Sequence, residues 1–554
     1  MISLRQRFNL LLESFFIFFI ILFMIFPLIS FLLTSLYGQP LSILEFRLNL
    51  IHNLTLKYFL YILNDPYYYD SIYHTLELSL AVTIASFLLA LPISYGMSFM
   101  NIPFKKTIKS LIISGISIPG LITTYALIII ATNFGLFRYQ LYSFYGLMAV
   151  MTISSLPFMV IYQTIAFDSI DTRLLEAATV HGLSKLRTFR KIVLPLLMPG
   201  FATSILIVFL LNTGTLSVPL LLAPSNFQVI SELAFVQLFS FYNWGIASAL
   251  LLILLLINLS VILTYMYYIK SKRYATVTGK AFRPFRNDNK ILKVIITVYS
   301  ILFSFFPLVE IFIIGLTSFS YKWVGTIFPT HFTLNNFYES LGLYPNAIWS
   351  TLILSGLAAF IGVTLSMIPT YFSWIYGMKW KKMTNVVILL IFSMSPVIIG
   401  ILLLTMYNNS ITGWIINSVP IGVIFGYVVG RMGYSTRALD VTLSSISKTL
   451  FEAERLMVRS KFKGLGKITI PLLIPGIVEG FVLVFVRSTI DYGTTIMLAP
   501  IQWTTLTLAS FAFLTTGELS QGAALAFIII IINIPIMLFL YSKRNINFRD
   551  SALA

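Results

Sequence analysis

KIVLPLLMPG, residues 191–200, returns as KITIPLLIPG at residues 467–476. The copies lie 276 residues apart, close to half of the 554-residue chain. The same offset holds outward from them. Leu222-Ala223-Pro224 corresponds to Leu498-Ala499-Pro500, Thr75-Leu76 to Thr351-Leu352, Ser79 to Ser355, and Lys105-Lys106 to Lys381-Lys382. Pro119 and Gly245 recur one residue late, as Pro396 and Gly522. An offset sustained over such a distance marks an internal repeat.

Composition names the solvent. Hydrophobic residues make up 58% and charged ones 10%, where a soluble domain carries about 25% charge. Mean hydropathy is +0.92. A soluble core of this size could not hide so much apolar surface, so the lipid bilayer is the expected partner for much of it. The net charge of +18 does not imply nucleic acid, because Lys and Arg cluster in short segments between apolar runs. With no cysteine, disulfides, thiolate metal sites and cysteine nucleophiles are excluded. The four histidines (His52, His74, His181 and His331) lack metal-ligand spacing. Neither a metal nor a cofactor is expected.

A bilayer core of about 30 Å takes roughly 20 apolar residues per helix. Twelve stretches qualify: 12–36, 73–100, 109–132, 143–165, 196–222, 244–268, 291–318, 348–376, 384–406, 418–436, 472–498 and 522–541. Helices satisfy their own backbone in lipid, so the expected fold is an all-α polytopic membrane protein. The apolar stretch after Arg5 and Arg7 is too long for a signal peptide and reads as a retained first span. All but five of the 37 Lys and Arg residues fall at the termini and in alternate loops. The opposite loops hold only Arg47, Lys57, Arg138 and Lys322, and Arg487 lies within a span. By the positive-inside rule both termini and the basic loops are cytoplasmic. Six spans per copy return the chain to its starting side, so the two repeats are parallel. The first unit then runs over 1–268, with its core at 70–268. A polar, basic linker covers 269–290. The second unit runs over 291–554, with its core at 346–541.

The loop after the fourth span reads DTRLLEAATVHGLSKLRTFRKIVLPLLMPG, 171–200. Asp171 suits a helix cap, and Leu174, Leu175 and Ala178 form an apolar face. Gly182 suits the left-handed residue that ends such a helix. Ser184 can cap a second helix carrying Lys185, Arg187, Arg190 and Lys191, and Pro195 marks the start of the next span. The pattern predicts two short helices joined by a glycine bend at the cytoplasmic face. Such a shape could pass a rigid-body motion from a soluble partner to the bundle.

Glu176, Ala177, Ala178, Gly182, Ile192, Leu194 and Pro195, in this spacing, resemble the loop signature of permeases in binding-protein-dependent ATP-binding-cassette importers. Two six-helix copies in one chain look like the fused, type I permeases that handle iron(III), thiamine and related solutes; polyamines, phosphonates and oxyanions fit as well. The resemblance implies a solute path coupled, through this loop, to a separate ATPase subunit in two copies, and an extracytoplasmic solute-binding protein in an inner (cytoplasmic) membrane. The second loop departs from the signature. Glu452, Ala453, Ile468, Ile470 and Pro471 fit, but Glu454 replaces the second alanine and Val458 the glycine. A β-branched residue resists the left-handed region, so asymmetric docking is expected, with the first half better formed.

No GxxxxGK[ST] loop occurs; Gly464-Leu465-Gly466-Lys467 is followed by Ile468. The chain is therefore read as a channel subunit and not an enzyme. An ion-gradient-driven secondary transporter with two parallel halves also explains the repeat, but it gives 171–195 no role. A membrane enzyme fits less well, since no carboxylates or histidines gather at one depth.

Ionisable groups within spans are costly and often functional. Glu479, Arg487 and Asp491 fall in the eleventh span, where the first half has Thr203, Leu211 and Thr215. Arg487 and Asp491, four apart, could pair on one helix face. Together with Glu479 they read either as part of a translocation path or as a structural ion pair. Glu77 and Glu310, near span ends, read as interfacial. Pro27, Pro92, Pro119, Pro157, Pro307, Pro369 and Pro396 can kink helices. NDPYYYD, 64–70, reads as an interfacial anchor ahead of the second span.

Overall fold

A computed structural model describes residues 14–170, 184–271, 289–376, 390–446 and 470–543, apart from residues 136, 322, 324, 327, 410, 411 and 418. Within 171–183 it adds Leu174, Ala178, Val180, His181 and Gly182, and within 377–389 it adds Val386 and Ile388. The described chain is helical, with a single isolated bridge between Ser320 and Phe332.

In the first half the principal helices are α1 (Ser14–Tyr37), α2 (Pro66–Phe99), α3 (Lys105–Ile116), α4 (Gly120–Phe134), α5 (Phe144–Asp168), α6 (Phe189–Thr213), α7 (Ser217–Leu222), α8 (Ile230–Phe239) and α9 (Trp244–Ser271). The second half follows with α10 (Lys290–Phe319), α11 (Ala347–Tyr376), α12 (Pro396–Tyr407), α13 (Ile421–Ser445), α14 (Ile470–Thr489), α15 (Gly493–Leu498), α16 (Leu506–Thr515) and α17 (Leu519–Lys543).

The polarity of the bundle is that of a protein dissolved in lipid. On α2, Leu80, Ile84 and Leu88 stand exposed in one stripe, while Ser71, Thr75, Ser79, Thr83 and Ser86 are buried against other helices. Small polar residues let membrane helices approach closely and bond across the contact, and apolar ones face the tails.

Among the described residues the twelve stretches do not all appear as uninterrupted helices. Among the described residues nine helices are long and apolar enough to cross a bilayer, or ten if α3 and α4 count as one span bent by 99°. That bend falls at Ser117–Pro119. Proline has no N–H and pushes its predecessor out of the helical region, so the helix stops and restarts. The second half repeats the device at Ser395–Pro396, where the Ser395 side chain accepts from the Ile398 N–H. The stretches 196–222 and 472–498 each break near their ends, giving α6 then α7 and α14 then α15. The stretch 418–436 falls largely in α13 (Ile421–Ser445), a helix that carries Arg431, Arg437 and Asp440, which lower its apolar character. Residues 66–70 form the first turns of α2, and Asn64 ends a short helix over Lys57–Asn64. Pro66 begins the helix, and Asp65 caps it by accepting from the Tyr67 N–H at 3.0 Å.

The repeat is visible in individual bonds. The Ile230 N–H donates to Thr75 Oγ1 at 2.9 Å, and 276 residues later the Leu506 N–H donates to Thr351 Oγ1 at 2.9 Å. Thr213 donates to Asn258 Oδ1 at 3.0 Å, and Thr489 to Asn533 Oδ1 at 2.9 Å. Gly200 and Gly476, which close the two quoted decapeptides, also serve alike. A Cβ on Gly200 would lie 2.4 Å from that of Ala166, and one on Gly476 would lie 2.5 Å from Thr442 Oγ1. Each glycine lets the helix after the basic loop press against the helix before it.

The halves exchange their first helices. α1 packs on α12 and on α9, with Phe23 stacked on Phe425 of α13 at 3.9 Å and the Tyr407 hydroxyl donating to the Leu22 carbonyl. Reciprocally, α10 lies on α2, α3 and α4 of the first half and on α17 of its own. A further apolar cluster joins the halves at the centre, with Val160 and Val208 from one and Val484 and Val486 from the other.

Candidate functional site

The loop at 171–200 joins α5 to α6. Glu176 and Ala177 lie outside the described residues, as do Asp171 and Leu175. Leu174 is helical and exposed, and Ala178 is helical and buried. Val180 is 85% exposed, so the end of this turn offers apolar surface to solvent. Gly182 has φ +71 with open space around it. That is the left-handed conformation expected of it, which costs glycine little and other residues more.

Beyond the bend the expectation of a second separate helix needs correcting. Lys185–Thr188 is helical, Phe189–Val193 is a π-helix, and Leu194–Thr213 continues without a break. Pro195 is the cause. It cannot donate a backbone bond to the preceding turn. The wider π register absorbs the mismatch, with the Leu194 N–H bonded to the Phe189 carbonyl. Single π-turns inside helices recur at functional sites. The result is one rod from Lys185 to Thr213, with Ile192 and Leu194 half-buried and Pro195 exposed near its base.

The base of the rod is clamped. Phe201 meets Phe87 of α2 edge-on at 5.2 Å and Phe167 of α5 at 5.4 Å, and Phe167 meets Phe99 at 5.5 Å. Leu197 and Ile170 are buried in the same cluster. Edge-to-face aromatic pairs favour one relative orientation, and the Gly200–Ala166 approach fixes the separation. The base of the rod is thus tied to α2 and α5 together.

In the second loop Glu452, Ala453, Glu454, Val458 and Ile468 lie outside the described residues, while Pro471 is exposed in the first turn of α14.

The charged residues of the eleventh stretch do not form the pair expected. α14 ends at Thr489, so Arg487 and Asp491 do not lie on one continuous helix. Asp491 is bound instead by Arg431 of α13. Its carboxylate also accepts from the N–H groups of Thr494 and Thr495 at 2.9 and 3.0 Å, capping α15. Arg431 completes the joint by donating from Nε to the Arg487 carbonyl at 3.0 Å. Arg431 and Arg437, expected among the loop charges, both lie on α13, and Arg431 is buried. A lone arginine after an apolar run was the available signal. In the first half a neutral contact occupies the corresponding place, with Asn212 donating to Ser155 at 3.0 Å.

Glu479 is buried. The Arg487 guanidinium lies over Phe158 of α5 at 5.3 Å and Tyr434 of α13 at 5.9 Å. Glu77 is exposed, whereas Glu310 is buried among α2, α3 and α5 beside Thr123.

Two copies of the decapeptide, each closing a basic loop and each pressing its glycine on the preceding helix, are the decisive pattern. The family described as binding-protein-dependent transport system inner membrane component matches residues 83–276 and 373–542, more than half of the chain. The chain belongs to this family. It is accordingly a polytopic inner-membrane permease component built from two repeats, which favours the importer reading over a gradient-driven transporter. Among its relatives, a ferric transport system permease protein of Actinobacillus pleuropneumoniae is 26% identical over 72% of this chain and 58% of that protein. A putative 2-aminoethylphosphonate transport system permease protein of Salmonella paratyphi A is 26% identical over 44% of this chain and 91% of its own length. A spermidine/putrescine transport system permease protein of Escherichia coli is 27% identical over 36% and 78%. The chain spans less than three fifths of the ferric relatives it matches.

Proposed function

We propose that this permease forms the solute path of an ATP-driven importer, with both termini and both basic loops in the cytoplasm. Its two halves rock about the central seam. Two copies of a separate ATPase subunit dock on the 171–190 and 447–469 segments, and an extracytoplasmic binding protein delivers the solute to the opposite face. Glu176, Ala177, Ala178 and Gly182 form the better docking site, and Glu452 and Ala453 the weaker one. The chain itself hydrolyses nothing.

One observation carries this reading: the left-handed bend at Gly182 lies shortly before a continuous rod, Lys185–Thr213, clamped to α2 and α5. A soluble partner gripping the bend would move three helices as a body. An ion-gradient transporter has no use for such a handle.

The test is co-purification of the full chain with the ATPase subunit encoded beside it, followed by measurement of ATP hydrolysis in proteoliposomes. Gly182→Val and Glu176→Lys should each weaken association or leave hydrolysis uncoupled from solute uptake. Association and uptake at wild-type levels in both variants would refute the assignment.

A further inference from the structure

We infer that Arg487 is an anion-recognising group in the transmembrane path, and that the solute passes this point carrying negative charge. The inference deepens the importer reading and rests on it for the meaning of the path.

The argument starts from cost. A guanidinium inside a bilayer is expensive, and such groups face a partner charge, a carbonyl or water. Arg431 of α13 has its partner in Asp491. Arg487 has none: among the described residues no carboxylate lies within ion-pair distance of it. The nearest acidic residue earlier on α14, Glu479, is eight positions back, two turns nearer the basic end. The surroundings of Arg487 are two rings, Phe158 at 5.3 Å and Tyr434 at 5.9 Å. Rings attract a cation but do not neutralise it.

Its place matters as much as its charge. Phe158 belongs to the first half, while Tyr434 and Arg487 belong to the second, so the guanidinium bridges the seam across which the halves would separate. Residues 482–486, 488 and 489 on either side of it are buried, whereas Arg487 and Tyr434 are partly exposed. The first half has uncharged Leu211 at the equivalent position, so the positive charge is not cancelled by symmetry. When the seam opens, the cation–π contact to Phe158 is released, and the site then presents an unneutralised cation to whatever passes. A negatively charged oxygen of a phosphonate, an oxyanion or an anionic metal complex fits that site. A polyamine is repelled by it.

The absence of native cysteine makes a direct test available. Tyr434→Cys places a single thiol beside Arg487. The full chain in membrane vesicles is labelled with an anionic methanethiosulfonate (ethylsulfonate) and, separately, with a cationic one (ethyltrimethylammonium). The expected result is faster reaction with the anion. The anion-to-cation rate ratio should fall by about tenfold or more in Tyr434→Cys/Arg487→Gln and be kept in Tyr434→Cys/Arg487→Lys, because a unit charge a few ångströms away governs local ion concentration. Inorganic phosphate or 2-aminoethylphosphonate should slow labelling by the anionic reagent, at fixed ionic strength, and spermidine should not. A ratio unmoved by Arg487→Gln, protection by spermidine alone, or a thiol that neither reagent reaches would overturn the inference. The labelling needs no ATPase. Gly182→Val therefore leaves the ratio unchanged even where it abolishes coupling, and the two proposals fail separately.

Discussion

Arg431 and Asp491 are joined in an ion pair that ties α13 to the break between α14 and α15, sixty residues further along the chain. The pair is buried on both sides, so its energetics are those of removal and not of formation. Deleting one partner leaves an uncompensated charge in a dry site and costs about 3–5 kcal/mol, whereas removing both charges is often nearly neutral. Arg431→Met should therefore lower the midpoint of thermal denaturation in detergent sharply. Arg431→Met/Asp491→Asn should recover most of that loss, because asparagine still accepts from Thr494 and Thr495. A double variant no better than the single one would show that the charges do not compensate one another.

This pair also marks what the sequence could and could not disclose. The repeat, the helical class and the left-handed Gly182 were legible, because an offset of 276 residues and a lone glycine after an amphipathic turn are local or periodic signals. The breaks at Pro119 and Pro396 were half-legible: each proline was noted, but a proline within an apolar run reads as a kink until neighbours decide how far the chain turns. The partner of Asp491 was hidden. Helix spacing nominated Arg487, and that argument holds only while the helix continues, yet α14 stops at Thr489. The exchange of α1 and α10 between halves left no mark at all, since apolar helices of similar composition can pack on either neighbour.

The bonds at Thr75 and Thr351 allow the repeat to be tested as physics. Each hydroxyl accepts a backbone N–H that begins a short helix, α8 or α16, and both threonines are buried. Each threonine also donates to the carbonyl four residues earlier, so valine removes both bonds and strands the N–H. An unsatisfied buried donor costs about 1–3 kcal/mol. Thr75→Val and Thr351→Val should lower thermal stability by similar amounts, and serine at either position should restore most of it. A large effect in only one half would mean that the shared geometry does not carry shared energetics.

Gly200 sets the spacing on which the proposed lever depends. A Cβ there would sit 2.4 Å from Cβ and 3.0 Å from Cα of Ala166, and the second of these is backbone that cannot rotate away. Overpacking of this kind typically costs about 1–3 kcal/mol. Gly200→Ala should lower the denaturation midpoint. Gly200→Ala/Ala166→Gly should regain part of it, the remainder being held back by the roughly 0.5–1 kcal/mol that glycine costs within a helix. No rescue by the second change would mean that Gly200 is needed for something other than room against α5.

Glu232, in the first turn of α8, provides a pH dependence with a definite sign. α8 has ten residues, too few to cross a bilayer. Burial pushes its carboxyl from an ordinary 4.5 up to about 7, a backbone hydrogen bond at Val229 opposing the shift only in part. A raised carboxyl pKa means that the folded chain disfavours the ionised form. Below about 4.5 the group is neutral folded or unfolded and costs nothing. As pH rises from there through 7 the unfolded chain ionises freely while the folded one resists, so stability declines over that window. The decline amounts to about 3 kcal/mol, from 1.36 kcal/mol per pKa unit over the shift from 4.5 to about 7. The equivalent position in the second half is Leu508, which cannot titrate, so the effect belongs to one half. Glu232→Gln should leave stability at pH 5 nearly unchanged and raise it at pH 8, flattening the difference between them in thermal denaturation of the detergent-solubilised chain. A wild-type midpoint equal at the two pH values, or a slope that survives the glutamine, would show that Glu232 is solvated in the folded chain.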